Sequence, residues 1–245
     1  MIAIPNSYGA QFFADMADFR PSADTIPPLM EAFRHRNLLP GTFHEMGPFM
    51  QAPQVRLRLS SPNNEWVIDF DTLRISIQKN SVKPKGANMG TPEEFIRDAM
   101  DFLGRILGLF PKKGNRLSLT TNGLMVEMPG ERLQEIYTRV FVPLTFYEEH
   151  RPVTWNSRSL ARVFQDVAGS QENLNIITNV SRIQGDFKEE GGSVSFDRIQ
   201  VQFDINTHQS NREPRFDMAH VNAFYPIALR TRGLILSQLT EHLNG

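Results

Sequence analysis

Three runs within residues 54–80, "QVRLRLS", "EWVIDFD" and "LRISIQKN", alternate apolar and polar side chains almost residue by residue. A period of two fits a strand with one buried face and does not fit a helix. The inward set reads Val55, Leu57 and Leu59, then Trp66, Ile68 and Phe70, then Leu73, Ile75 and Ile77. "SSPNN" supplies turn residues between the first two runs. A two-residue loop at Asp71 and Thr72 sets Phe70 opposite Leu73, so both face the core and an antiparallel meander of three strands is predicted. The other face directs Arg56, Arg58, Glu65, Asp69, Arg74 and Gln78 into water. Acid stands beside base there, which reads as cross-strand pairing on a solvated surface. A face that stacks bases needs unopposed cations with aromatics among them, and here the aromatics belong to the buried set.

A helix over 92–110 follows. Thr91 is its N-cap, Pro92 takes the first helical position and Glu94 completes a capping box. Phe95, Ala99, Phe102, Leu103, Ile106 and Phe110 recur at helical spacing and face the sheet. "FPKKGN" ends it. The second half repeats this order of elements: a strand at 116–128, a short helix at 130–141, strands around 159–167, 173–184 and 194–206, and a long helix over 217–243. "SYGAQFFADMADF" and "PPLMEAFRHR" supply the matching opening strand and short helix of the first half. The fold class expected is α+β, with antiparallel meanders each packed by a long helix. Two similar β-α-β-β-β-α lobes are drawn, over residues 1–113 and 114–245. The alternative is one continuous α+β domain.

Composition narrows the function classes. With 26 basic and 27 acidic side chains among 245 residues, the net charge of −1 offers no global attraction to nucleic acid or an anionic membrane. The absence of cysteine excludes disulfides, thiolate metal sites and cysteine nucleophiles, and fits a reducing cytoplasm. "MIAIPNSYGA" has neither the basic leader nor the apolar core of a signal peptide, and no run reaches the ~18 apolar residues of a membrane span. A soluble cytoplasmic protein is expected.

Catalytic signatures do not emerge. His35, His44, His150, His208, His220 and His242 show no metal-ligand spacing. There is no nucleophile elbow, phosphate loop or dinucleotide fingerprint. "EEH" (148–150) reads as a surface loop and "DFD" (69–71) as a turn. Lys79, Lys83 and Lys85 precede the 92–110 helix, and Lys112, Lys113 and Arg116 follow it. A helix of that length holds the two clusters roughly 28 Å apart, so they do not form one groove.

The meander "WVIDFDTLRISIQKN", the helix "EEFIRDAMDFLGRILGLF" and the strand "NRLSLTTNGLMVEM" with its central Asn122 resemble a family of uncharacterised, sporadically distributed bacterial and archaeal proteins. The similarity covers roughly residues 54–145. The family brings no established catalytic residues. The resemblance implies a prokaryotic accessory-genome protein of the defence or toxin–antitoxin type. The N-terminus departs from it, being rich in Asp, Pro and Met where a plain strand is expected.

The function expected is therefore that of a non-catalytic adaptor that binds another protein, with no cofactor and no metal. "FHEMGPFMQAP" (43–53) supplies the candidate contacts Phe43, Met46, Phe49 and Met50, since Met-rich surfaces adapt to partners. One alternative is an enzyme with a cleft between lobes and His44, His150 or His208 as its acid–base group. The other is an anion or nucleic-acid binder acting through Lys79, Lys83 and Lys85.

Overall fold

The computed structural model describes residues 1–47, 52–189 and 192–244. Among them nine strands form one antiparallel sheet: β1 (Ile2–Phe13), β2 (Leu39–Glu45), β3 (Gln54–Ser60), β4 (Trp66–Asp71), β5 (Arg74–Asn80), β6 (Arg116–Met125), β7 (Trp155–Val167), β8 (Ser170–Glu189) and β9 (Gly192–Thr207). Their order is β2-β3-β4-β5-β1-β6-β9-β8-β7. The helices are α1 (Ile26–Ala32), α2 (Pro92–Leu109), α3 (Gly130–Val140), α4 (Thr145–Glu149) and α5 (Met218–Asn244). None of them is long and apolar enough to cross a membrane. The chain is thus α+β, with a large antiparallel sheet.

Local chemistry sets the elements. Thr91 Oγ1 accepts from the Glu94 N–H at 3.1 Å and Glu94 Oε2 accepts from the Thr91 N–H at 2.9 Å, so two orphan donors of α2 are satisfied reciprocally. The helix buries Phe95, Ile96, Ala99, Phe102, Leu103, Ile106 and Leu107. Phe95 stacks on Trp66 at 5.7 Å, and Phe102 meets Phe33 and Trp66 edge-on. One cluster joins these residues to Phe12, Leu57, Leu59, Ile68, Phe70, Ile75 and Ile77 of the sheet and to Phe224, Tyr225 and Ala228 of α5. A second joins Leu133 and Ile136 of α3 to Val180, Ile199, Val201 and Phe203. Both clusters lie on the face formed by one alternate set of strand residues. The opposite, polar set forms what is called here the open face.

Several readings of the sequence are corrected. The β4–β5 loop is Thr72–Leu73, one residue later than expected, because Asp71 pairs with Arg74 and Phe70 with Ile75. Leu73 therefore sits at the turn, 67% exposed. The β3–β4 ladder runs only from Arg58 to Ser60 opposite Asp69 to Val67, so the two strands part towards Gln54. Val55 is left 49% exposed, and Arg56, expected in water, is fully buried. Its guanidinium fills the gap, donating from Nε to the Phe70 carbonyl (3.1 Å) and from Nη2 to the Met16 carbonyl (2.6 Å).

The segment at 39–45, which the sequence reading assigns to no element, is strand β2. The first half thus carries four strands between α1 and α2 rather than three. The division at 113/114 falls between α2 and β6, and the sheet runs unbroken across it through the β1–β6 ladder. Gly114 marks that crossing. It exchanges backbone hydrogen bonds of 2.8 Å with Phe216, and a Cβ there would come within 2.8 Å of the Phe12 ring.

Candidate functional site

Because strand partners share a face, the ladder registers map the open face row by row. Phe13 lies opposite Arg74 on one side and Arg116 on the other. Phe43 lies opposite Arg56, with Arg58 in the next row. The guanidinium of Arg116 stands 4.8 Å from the Phe13 ring centroid and that of Arg74 5.9 Å. Arg58 stands 5.1 Å from the centroid of Phe43. One end of the face is thus an alternation of arginines and half-buried phenylalanines, in which cation–π attraction orders the side chains.

The arginines differ in their partners. Arg58 is gripped by both carboxylate oxygens of Asp69 at 2.6 and 2.8 Å, and this raises its affinity for the proton further. Arg74 Nε donates to Asp71 Oδ2 at 2.6 Å. Arg116 has neither. Its buried Nε lacks a hydrogen-bond partner among the described residues. Burial lowers its pKa, Asp204 opposes that at a distance, and the like charge of Arg74 adds to it. A cation held half-desolvated and unpaired is suited to receive an anionic group from outside.

Beside this row the ends of β1 and β2 and the β4–β5 turn enclose a recess of 440 Å³. Phe13, Phe43, Met46, Leu73 and Arg74 line it, together with His44, Glu45 and Asp71. Met46 is 77% exposed. Glu45 holds the turn by accepting from the Thr72 N–H and hydroxyl at 3.0 and 2.6 Å. The recess is therefore held by polar contacts and lined by four apolar side chains (Phe13, Phe43, Met46 and Leu73) and four polar ones.

Of the residues expected to contact a partner, Phe43 and Met46 come together in this recess, and Phe49 and Met50 lie outside the described residues. Among the basic candidates, Lys79 sits 3.9 Å from Glu65 and 5.2 Å from the Trp66 ring centroid, with its side chain only 12% exposed. Lys83 and Lys85 are exposed on the loop that Asn88 braces by accepting from the Val82 and Lys83 N–H groups. Lys79 is thus engaged with Glu65 and Trp66, whereas Lys83 and Lys85 are exposed.

The histidines are scattered. His44 lines the recess, His150 rests on Phe146 at 4.8 Å, and His208 Nδ1 lies 2.8 Å from Ser210 Oγ. His220 pairs with Asp217 at 2.7 Å, where Asp217 also accepts from the Ala219 N–H and so caps α5. No group of three metal-ligating side chains converges among the described residues.

Sequence reading missed Phe13, because it treats "QFF" only as part of the opening strand and does not follow its alternation. It also set Arg116 with Lys112 and Lys113. Lys112 instead pairs with Asp18 at 2.8 Å, while Arg116, as the first residue of β6, turns to the open face. The signal that could have found the row is the alternation itself. Gln11 and Phe13 share the parity opposite to Phe12, so Phe13 had to stand on the polar face.

Further along the open face the side chains are amides in register. Asn122 faces Gln202, which faces Asn179, and Asn206 faces Asn175. Asn175 donates to Asn206 Oδ1 at 3.1 Å, and Asn206 to Asp204 at 2.8 Å. This amide-rich lattice contrasts with the arginine–phenylalanine end. No family model matches the chain, and no curated protein matches it in sequence.

Proposed function

We propose that the chain is a non-catalytic recognition module that binds another protein through the arginine–phenylalanine end of its open face. The observation that carries this reading is Phe13 held between Arg74 and Arg116, with Arg116 lacking a carboxylate of its own. Aromatic residues, Met and Arg are the types enriched where proteins bind proteins, and strong contacts gather around buried anchors beside a polar rim. Phe13, Phe43, Met46 and Leu73 supply the anchors, and Arg58, Arg74 and Arg116 supply the rim. A partner segment that presents an apolar side chain to the recess and a carboxylate to Arg116 fits this arrangement.

Arg58 and Arg74 are each neutralised by an aspartate, so among the described residues Arg116 is the cation of the row without a carboxylate partner. That favours a single acidic side chain over the repeated phosphates of a nucleic acid. Affinity purification from the native host, with the wild-type chain and the Phe13→Ala and Arg116→Glu variants compared by mass spectrometry, tests the reading. The expected result is a protein recovered by the wild type and lost by both variants. Equal recovery by all three removes the site from consideration.

The same reading treats the two halves as copies of one plan, joined where β1 meets β6. Its support is the strand order, since β1 is flanked by the last strand of its own half (β5) and β6 by the last of its own (β9). Membership of a prokaryotic defence or toxin–antitoxin-like system rests on the family resemblance alone.

A further inference from the structure

Between α3 and β7 the chain leaves a run of apolar side chains in the open, with Val142 97%, Leu144 68% and Phe146 63% exposed. An exposed run of this kind marks an interaction surface. The ring contacts of Phe146 are local, to Tyr147 at 5.5 Å and His150 at 4.8 Å. α4 then ends in Glu148 and Glu149, and neither carboxylate has a partner among the described residues. Phe146 and Glu149 are three residues apart in the helix, which sets them side by side with Cβ atoms about 5–6 Å apart. Other exposed apolar residues stand near acids too, but those acids are engaged: Glu45 with Thr72, Asp71 with Arg74, Glu127 with Arg198 and Asp166 with the Gly169 N–H. Among the described residues, α4 alone joins an exposed large apolar side chain to a free carboxylate within three positions.

We propose that α4 of a second copy of this chain docks at the arginine–phenylalanine end of the open face, with Phe146 entering the recess against Phe13 and Glu149 pairing with Arg116. The proposal rests on the recognition reading of that site and names an occupant for it. Charge and spacing both select this occupant. Arg116 is the cation of its row without a carboxylate, and it stands 4.8 Å from the Phe13 ring centroid. An aromatic ring seated beside Phe13 therefore brings a carboxylate one helical turn away within reach of that guanidinium. The recess, at 440 Å³, has room for the ring. A chain cannot make this contact with itself. α3, which forms a cleft with α4, packs on β8 and β9 across the sheet from the open face, whereas the recess lies among β1, β2 and the β4–β5 turn. The contact is therefore heterologous, each copy offering α4 to one neighbour and its recess to another, and it propagates beyond a dimer unless a ring closes. The same occupancy competes with a partner protein for the recess.

The test uses the full chain at micromolar concentration and reads mass by sedimentation equilibrium. The wild type is expected to show a mean mass above that of one chain, rising with concentration. Phe146→Ala, which withdraws the ring, and Arg116→Glu, which sets like charges together, are each expected to weaken association by roughly tenfold or more. Mixed in equal amounts, these two variants supply one intact α4 and one intact recess, so they are expected to form a complex of two chains and nothing larger. Arg116→Glu combined with Glu149→Arg in one chain inverts the pair and is expected to restore association. Circular dichroism verifies that each variant is folded. A monomeric wild type overturns the proposal, as does association indifferent to Phe146→Ala. So do two variants that stay apart when mixed, or an inverted pair that stays monomeric. Capture of a partner from the host, kept by Phe146→Ala and lost by Arg116→Glu, separates the two readings. With that pattern, failed self-association strikes this proposal alone; with equal capture by both variants, the open-face site itself fails.

Discussion

The guanidinium of Arg56 donates a 2.6 Å hydrogen bond to the main-chain carbonyl of Met16, joining β3 to the segment that leaves β1. Where the β3–β4 ladder stops, the side chain takes over its function, with the Phe70 carbonyl as a second acceptor at 3.1 Å and the Glu45 carboxylate 3.5 Å away. Removing the side chain takes the guanidinium from the Phe70 carbonyl and the Glu45 carboxylate, while the Met16 carbonyl keeps the Phe19 N–H at 2.9 Å. Arg56→Ala is expected to destabilise the fold by about 3–5 kcal/mol, the range for breaking one side of a buried charged contact. Arg56→Lys keeps the charge but lacks the fork that reaches two carbonyls, so it should fall in between. Urea midpoints decide this. An unchanged midpoint for Arg56→Ala would show that the gap closes without the guanidinium.

Arg116 should behave in the opposite way. It is half-desolvated, unpaired and next to Arg74, so its charge opposes folding rather than favouring it. Arg116→Gln is expected to leave the melting temperature unchanged or slightly higher while abolishing partner capture. A residue whose removal helps stability and harms binding is one kept for binding. A clear fall in melting temperature would instead make Arg116 a structural residue and weaken the recognition reading.

Period two in residues 54–80 was enough to find β3, β4 and β5, and the capping box was enough to find α2. These signals are local, set by pleat geometry and by helix-end hydrogen bonds. What failed to read was non-local. Whether β3 and β4 stay paired over their full length depends on the Met16 and Ala17 carbonyls, some forty residues away in sequence, and so Arg56 was read as a surface residue. β2 was hidden by Pro40 and Gly41, which an edge strand tolerates and a central one does not. The Phe13–Arg116 pair depends on β1 and β6 becoming neighbours, and no local pattern encodes that.

The turn offers a direct check on register. Ile75 is fully buried opposite Phe70 and Phe12, whereas Leu73 two residues earlier is 67% exposed. The sequence pattern treats the two alike. Ile75→Asp loses about 1.5–3 kcal/mol of apolar burial and adds the larger cost of an unpaired carboxylate in the core. It is expected to abolish soluble expression, and Leu73→Asp is expected to express and melt as the wild type does. Equal tolerance of both changes would show that the register is wrong.

Acid should act through the carboxylates held by arginine. Asp197 accepts from Arg182 at 2.9 and 2.7 Å, and this contact, opposed by partial burial, holds its pKa below the ordinary range. Asp101 is also lowered: burial opposes ionisation there, but Arg105 and Arg36 outweigh it. A depressed carboxylate contributes stability that is fully present above its unfolded pKa and is lost as pH falls through the folded value. Stability is therefore expected to be flat near neutrality and to decline below about pH 4. Asp197→Asn should lower the plateau and flatten the decline, as followed by urea midpoints across the acid range. An identical slope in wild type and variant would remove this pair from the account.

The basic loop distinguishes protein recognition from nucleic-acid binding. Lys79 is tied to Glu65 and the Trp66 ring, so Lys79→Glu should destabilise the fold whatever the loop binds. Lys83 and Lys85 are the free cations, and Lys83→Glu combined with Lys85→Glu is the clean test. Two lysines neutralise at most about two phosphates, which limits the slope of log K against log salt to roughly −1.4 for single strands. Weak, salt-sensitive binding to a labelled oligonucleotide, insensitive to Arg116→Glu, is the expected result. Submicromolar affinity that persists at physiological salt and disappears in the double variant would transfer the function from the open face to this loop.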